Sequence, residues 1–303
     1  MSDSSCNACP RRCGVIRSAV YTPNAPMPGY CHTSLQPVVA RAALHHWEEP
    51  CISGSRGSGA VFFTSCNLRC CFCQNAVISN GHQGIPITVE RLREIYQELI
   101  AQGAHNINLV TPTPYTQAIL QSLQQPLPVP VVYNCGGYES VETIDALNGH
   151  IQIYLPDLKY MDSSLSASYS GAADYPTIAT QAILRMYDQV GPYQLDEDGI
   201  LQSGVVIRHL ILPGCLDNTK AVIDWVRSHF DDGQVLFSLM RQYVPCGTAD
   251  QHPEINRPLT DAEYNEAEQY LFDSGIEDGF VQEKDSASSA FIPSFQGEGV
   301  LPQ

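Results

Sequence analysis

Three cysteines in one short run carry the most specific chemistry in this chain. They stand in Thr64-Ser65-Cys66-Asn67-Leu68-Arg69-Cys70-Cys71-Phe72-Cys73, spaced Cys66-x3-Cys70-x2-Cys73. Three thiolates on one tight loop leave a four-coordinate structural zinc one ligand short. They can hold three irons of a four-iron cluster, so that the fourth iron stays open to a small molecule. Cys71 complicates the count, because spacing alone would let it replace Cys70. A second set reads Cys6-x2-Cys9-x3-Cys13-x17-Cys31. Four thiols in that pattern make a plausible closed tetrahedral site for zinc, or an auxiliary four-iron cluster. A full thiolate set has no open position, which points to structure or electron relay instead of substrate binding.

The rest of the composition narrows the setting. The chain has 303 residues, 16 basic against 32 acidic, for a net charge of −16. A surface this acidic repels phosphate backbones and anionic lipid heads, so no nucleic-acid partner and no membrane surface are expected. No run of about 18 apolar residues exists to span a bilayer. The first twenty residues lack the apolar core of a secretory signal, and the expected location is the cytoplasm, where thiols stay reduced. Nine of the twelve cysteines fall within the first 73 residues. The segment to about residue 55 shows little periodicity, and Pro23, Pro26, Pro28 and Gly29 mark it as loop-like. A metal would supply the fold energy that its sparse apolar residues do not.

From residue 60 the pattern becomes an alternation of strands and helices. Strands are expected at 60–64 (AVFFT), 106–111 (NINLVT), 129–133 (VPVVY), 151–155 (IQIYL), 205–212 (VVIRHLIL) and 235–239 (VLFSL). Between them, Thr88 caps a helix stopped at Gly103, and helices follow at 115–123 and 140–147. A long, poorly defined helical region runs to about Val190; Asp217 is read as the cap of a further helix. Thr260 and Glu263 form a capping box for the last helix, which ends near Gly275. Residues 283–291 (EKDSASSAF) read as a surface loop. Six strand–helix units imply a parallel α/β sheet with right-handed crossovers, too few for the closed eight-fold barrel. A partial barrel or an open doubly wound sheet remains, and in both the ligand lies at the carboxyl ends of the strands.

The CxxxCxxC loop, with Phe72 before its last cysteine and a strand before it, resembles the radical S-adenosylmethionine (SAM) superfamily. That match assigns Cys66, Cys70 and Cys73 to a [4Fe-4S] cluster and leaves Cys71 as an intervening residue. The chain further resembles the family called predicted pyruvate formate-lyase activating enzymes, through CPRRCG at 9–14, WEEPCISG at 47–54, GSG at 57–59, CQN at 73–75, INLVTPT at 107–113, YLPDLKY at 154–160, RHLILPG at 208–214 and MRQY at 240–243. The resemblance implies a partial (βα)6 barrel over residues 56–250, a Cys-rich extension over 1–55 and a C-terminal helix and tail over 251–303. It implies an oxidoreductase that cleaves SAM reductively to a 5′-deoxyadenosyl radical, which abstracts hydrogen from substrate. Its expected partners are SAM, an electron donor such as flavodoxin or ferredoxin, and a glycyl-radical enzyme as the substrate. A small molecule or a modified residue is the alternative substrate, and a non-catalytic iron–sulfur or zinc electron carrier the alternative from another class. Relatives often end their second strand in Gly-Gly-Glu to meet the methionyl amine. Thr111 and Thr113 stand there instead and are assigned that place. Asn134, Asp157, Lys159 and Arg208 are carried over as cofactor-binding residues at the ends of the third, fourth and fifth strands.

Overall fold

The computed structural model describes residues 5–22, 27–81, 83–282 and 293–302. Pro23, Pro26 and the expected loop at 283–291 lie outside them. In chain order, the first elements are β1 (Val38–His45), α1 (Pro50–Ser53), β2 (Ser58–Phe63), α2 (Ala76–Ser79), β3 (Ile85–Pro86), α3 (Val89–Ala101) and β4 (Ile107–Val110). Next come α4 (Thr116–Ser122), β5 (Val131–Cys135), α5 (Val141–Leu147), β6 (Ile153–Pro156), α6 (Ser163–Ser170), α7 (Tyr175–Val190) and β7 (Gln194–Leu195). The last are β8 (Leu201–Leu210), α8 (Leu216–His229), β9 (Leu236–Met240), α9 (Asp261–Ser274) and β10 (Gly279–Val281).

The sheet runs β10-β9-β8-β6-β5-β4-β2-β1-β3, with β7 paired to β8. From β2 to β10 every neighbour on this path is parallel. The strand order never reverses, so there is no switch point, and the open doubly wound alternative falls. Strands β2, β4, β5, β6 and β9 are buried along their whole length, which explains their near-continuous apolar sequences. One face of these strands carries Val61, Leu109, Tyr133, Tyr154, Ile207 and Leu239 into the core under the helices. The alternate face points inward. There Val132, Ile153, Leu155, Val206 and Leu236 pack against Cys51 and Ile52 of the short helix α1, which plugs the amino-terminal end of the strands.

Several expectations change. Residues 38–45, read as part of a loop-like segment, form β1, which pairs antiparallel with β2 and covers that edge of the sheet. The helical region before Val190 splits into α6 and α7, because Gly171 takes a left-handed conformation (φ 57°) that ends the first. Asp217 is not a cap: Cys215 holds the N-cap position without a side-chain bond, and Asp217 sits in the first turn, where its charge favours the helix dipole. Residues 113–115 form a 3-10 turn ahead of α4. Strand β10 was not foreseen. The caps at Thr88 and the Thr260–Glu263 capping box form as expected. No helix among the described residues is long and apolar enough to cross a membrane.

Ile52 is fully buried in the plug. Ile52→Ala should cost about 2–5 kcal/mol of unfolding free energy, since strands on all sides hold the cavity open. Urea denaturation checks this; a loss under about 1 kcal/mol would mean that the plug is not part of the folding core.

Candidate active site

A cavity of about 750 Å³ opens at the carboxyl ends of the parallel strands. Its rim is the loop after β2. Cys66, Cys70 and Cys73 line the cavity. Cys71 does not: its N–H donates to the Tyr169 carbonyl (2.8 Å) and its own carbonyl accepts from Thr248 (2.7 Å), which faces the residue to the other side. Each lining sulfur accepts a hydrogen bond: Cys66 from the Leu68 N–H (3.4 Å), Cys70 from the Ser170 hydroxyl (3.0 Å) and Cys73 from the Ser79 hydroxyl (3.3 Å). Burial pushes the Cys66 thiol up to about 12 and Cys73 to about 11, so ionisation there calls for a nearby positive centre. Among the described residues no three His, Cys, Asp or Glu side chains stand close enough to share a single metal ion. Three sulfurs, each with its own hydrogen-bond donor, fit the corners of a polynuclear cluster.

The floor beneath the rim is charged. Asp157 and Lys159 reach the same cavity from the end of β6, with Lys159 Nζ donating to Asp157 Oδ2 at 2.6 Å. Arg208 of β8 is the centre of this floor. Its Nε donates to Asp157 Oδ1 (2.9 Å), Nη1 to Glu48 Oε2 (3.0 Å) and Nη2 to Asn134 Oδ1 (2.7 Å). Asn134 in turn donates to Glu48 Oε1 at 3.2 Å. Burial alone would raise the Asp157 carboxyl, but Arg208 and Lys159 together hold it below the usual carboxylate range. Burial likewise disfavours the Lys159 ammonium, and Asp157 followed by Cys70 more than reverse this. His209, the next residue on β8, turns to the opposite face, where Nδ1 meets the Leu158 carbonyl (2.7 Å).

Thr111 lines the cavity in a left-handed conformation (φ 59°), its N–H held by the Asn134 carbonyl at 2.9 Å. Thr113 also lines it, but its hydroxyl donates to Glu139 Oε1 at 2.6 Å. Glu139 is buried and also accepts from the Tyr133 hydroxyl (3.3 Å). Sequence reading missed Glu139, Glu48 and Glu49. The signal available was Glu-Glu-Pro at a helix start: Pro50 opens α1 and Glu49 is its N-cap.

Cys6, Cys9, Cys13 and Cys31 line one small cavity of about 20 Å³. Among the described residues these thiols form no group of three set to hold one metal ion. All twelve cysteines are free thiols. The segment that carries this set is fastened to the cysteine rim. Arg11 donates to the carbonyls of Asn67 (2.8 Å) and Ser170 (2.9 Å), and the Tyr30 hydroxyl to that of Leu68 (3.1 Å). Arg17 donates to the Pro114 carbonyl at 2.7 Å and to that of Ser34. Asn67 lines both cavities.

No family model matches the chain. An uncharacterized protein of Methanocaldococcus jannaschii is 29% identical over 278 residues, which are 88% of this chain and 73% of that protein. Streptococcus suis SuiB, solved bound to the precursor peptide SuiA, superposes with a TM-score of 0.51 at 14% identity, over 73% of this chain and 47% of SuiB. SuiB solved bound to SAM gives the same score, over 48% of its length. The chain thus spans about half the length of the solved protein it resembles. The shared architecture is that of the radical SAM barrel enzymes.

Burial pushes the Glu139 carboxyl up to about 8. The folded state then keeps a proton that the unfolded chain releases above its ordinary value of 4.5. Stability is full below pH 4.5 and falls as pH rises toward 8. Glu139→Gln should flatten this loss and add on the order of 2–3 kcal/mol at pH 7. Urea titrations from pH 5 to 8 decide it; parallel curves for the two proteins would contradict the assignment.

Proposed function

We propose that this chain is a radical SAM enzyme. The observation that carries the reading is that Cys66, Cys70 and Cys73, and not Cys71, line the wall of the one large cavity described at the strand ends. Cys66, Cys70 and Cys73 would hold a [4Fe-4S] cluster there, which would supply a binding site for SAM and the electron for reductive cleavage of its sulfonium C–S bond. The protein's part is to hold, shield and orient. The backbone N–H of Leu68 and the hydroxyls of Ser79 and Ser170 steady the three thiolates. Lys159 keeps two ammonium protons free beyond its bond to Asp157 and offers them to an anionic group beside the rim, such as the methionyl carboxylate. Asn134, Asp157 and Arg208 bond chiefly to one another, and this rigid floor fixes Lys159. Thr111 and the carbonyls of its turn are left to meet the methionyl amine. The plug and the apolar lower strands exclude water from below.

The finer reading follows the sequence resemblance: an activase that takes hydrogen from a glycine of a partner enzyme, with flavodoxin or ferredoxin as electron donor, in the cytoplasm. A small molecule or modified residue is the second substrate class, and SuiB, which binds a precursor peptide, keeps a peptide within it. The four N-terminal cysteines take a second metal in this reading, zinc or an iron–sulfur cluster.

Anaerobically reconstituted protein, reduced and mixed with SAM, should release 5′-deoxyadenosine. Cys70→Ala should abolish both this product and the visible absorption of the catalytic cluster, while Cys71→Ala should keep most of each. A Cys66/Cys70/Cys73 triple alanine variant should still bind iron at the amino-terminal set. No deoxyadenosine with several reductants would favour an electron carrier. Loss of the cluster in Cys71→Ala alone would overturn the choice of ligands.

A further inference from the structure

The cavity floor holds three carboxylates, Glu48, Glu49 and Asp157, against two cations, Arg208 and Lys159. The hydrogen bonds leave one acid over. Arg208 bonds to Asp157, Glu48 and Asn134, and Lys159 bonds to Asp157. Glu49 is left 3.8 Å from Arg208 Nη1, beyond hydrogen-bond reach. Its side chain is only 5% exposed, and Oε2 has no hydrogen-bond partner among the described residues. A buried carboxylate oxygen without a donor is costly, and such groups are rare unless something fills the place. Asn108 repeats the pattern deeper in the same wall. Strand alternation puts it on the side of Val110, which lines the cavity, and neither polar atom of its amide has a partner among the described residues.

We propose that Glu49 anchors a cationic nitrogen, an ammonium or guanidinium group carried by the substrate, at the floor of this cavity. The inference rests on the radical SAM reading and names the substrate's chemical class. A divalent metal does not suit the place, because one free carboxylate oxygen beside the Arg208 guanidinium offers neither the ligand number nor the charge. An anion would meet three acids. A singly charged N–H donor satisfies the lone oxygen and balances the surplus charge, while Phe62 and Met240 supply apolar wall for the chain that carries it.

Without such a ligand, a proton is the simplest occupant. Burial raises the Glu49 carboxyl to about 7; Arg208 opposes this, and Glu48 and Asp157 add to it. The ionisable groups facing it are Glu48 on its own loop, Asp157 and Lys159 from β6, Arg208 from β8 and Cys51 from α1, with His45 and His46 at the outer lip. A cation must displace the proton. Its affinity should therefore fall about tenfold per pH unit below about 7, and binding near neutrality should release part of a proton.

The test uses the full-length, cluster-loaded protein with SAM under anaerobic conditions. n-Butylammonium and n-butylguanidinium are the probes; 1-butanol and butyrate are the controls. The cationic probes should raise the thermal unfolding midpoint saturably and release protons into weak buffer, and the controls should do neither. Glu49→Gln, which keeps size and shape, should abolish the probe effect and its pH dependence, with SAM affinity by equilibrium dialysis within about twofold of wild type. Equal binding of butanol, or a probe effect that survives in Glu49→Gln, overturns the proposal. So does a Glu49→Gln variant that loses SAM as well, because the cation would then be the cofactor's own. The pH series on the wild-type protein stands without any variant. Wild-type protein that cleaves SAM yet ignores both amines sinks this inference alone, whereas failure to bind or cleave SAM sinks the functional reading beneath it.

Discussion

The floor of the cavity depends on one guanidinium. Arg208 ties β8 to Asp157 after β6, to Asn134 of β5 and to Glu48 ahead of the plug helix, and each of its three nitrogens has its own acceptor. A buried charge offsets its desolvation only when its hydrogen bonds are complete, and removing one partner typically costs more than the pair contributes. That completeness has a chemical consequence. Asn134 and Arg208 are occupied by the protein and define the shape of the chamber. Lys159 and Glu49 keep spare hydrogen-bonding capacity, and they stand at opposite depths: Lys159 toward the cysteine rim, Glu49 over the plug.

The amino-terminal segment is part of the site. It supplies β1 to the sheet, α1 to the barrel bottom and Glu48 and Glu49 to the floor. Its cysteine-bearing loop holds the rim through Arg11 and Tyr30, both by way of backbone carbonyls that a substitution in the rim cannot remove. The two cysteine groups share a backbone habit. Arg12 and His32 beside the first group, and Ser65 and Arg69 beside the second, all have positive φ (42°, 48°, 69° and 57°). Left-handed non-glycine residues cost on the order of 1–2 kcal/mol each. Four of them flank cysteines, so backbone strain gathers in the two cysteine-bearing loops.

What could be read directly from the residues was local. Continuous β-branched runs such as 151–155 announce strands buried on both faces, because a parallel sheet has no wet side. Thr260 and Glu263 announce a helix start, because both halves of that bond lie within four residues. The Cys66-x3-Cys70-x2-Cys73 spacing announces a three-thiol loop for the same reason. The errors are also local ones: Asp217 has the right chemistry for a cap, two positions too late.

The tertiary structure decided everything that needed two distant segments to meet. Glu48 and Arg208 are 160 residues apart, and no periodicity links them. That a Glu-Glu pair beside an exposed tryptophan is buried depends on α1 entering the barrel, which depends on β1 pairing with β2. Cys71 is excluded from the cavity by contacts with Tyr169 and Thr248, residues far along the chain. Charge type and spacing are properties of a few neighbouring residues and survive in the sequence. Which carboxylate oxygen is left without a hydrogen-bond donor is a property of the whole enclosure, and only the folded sheet shows that it is Glu49 Oε2.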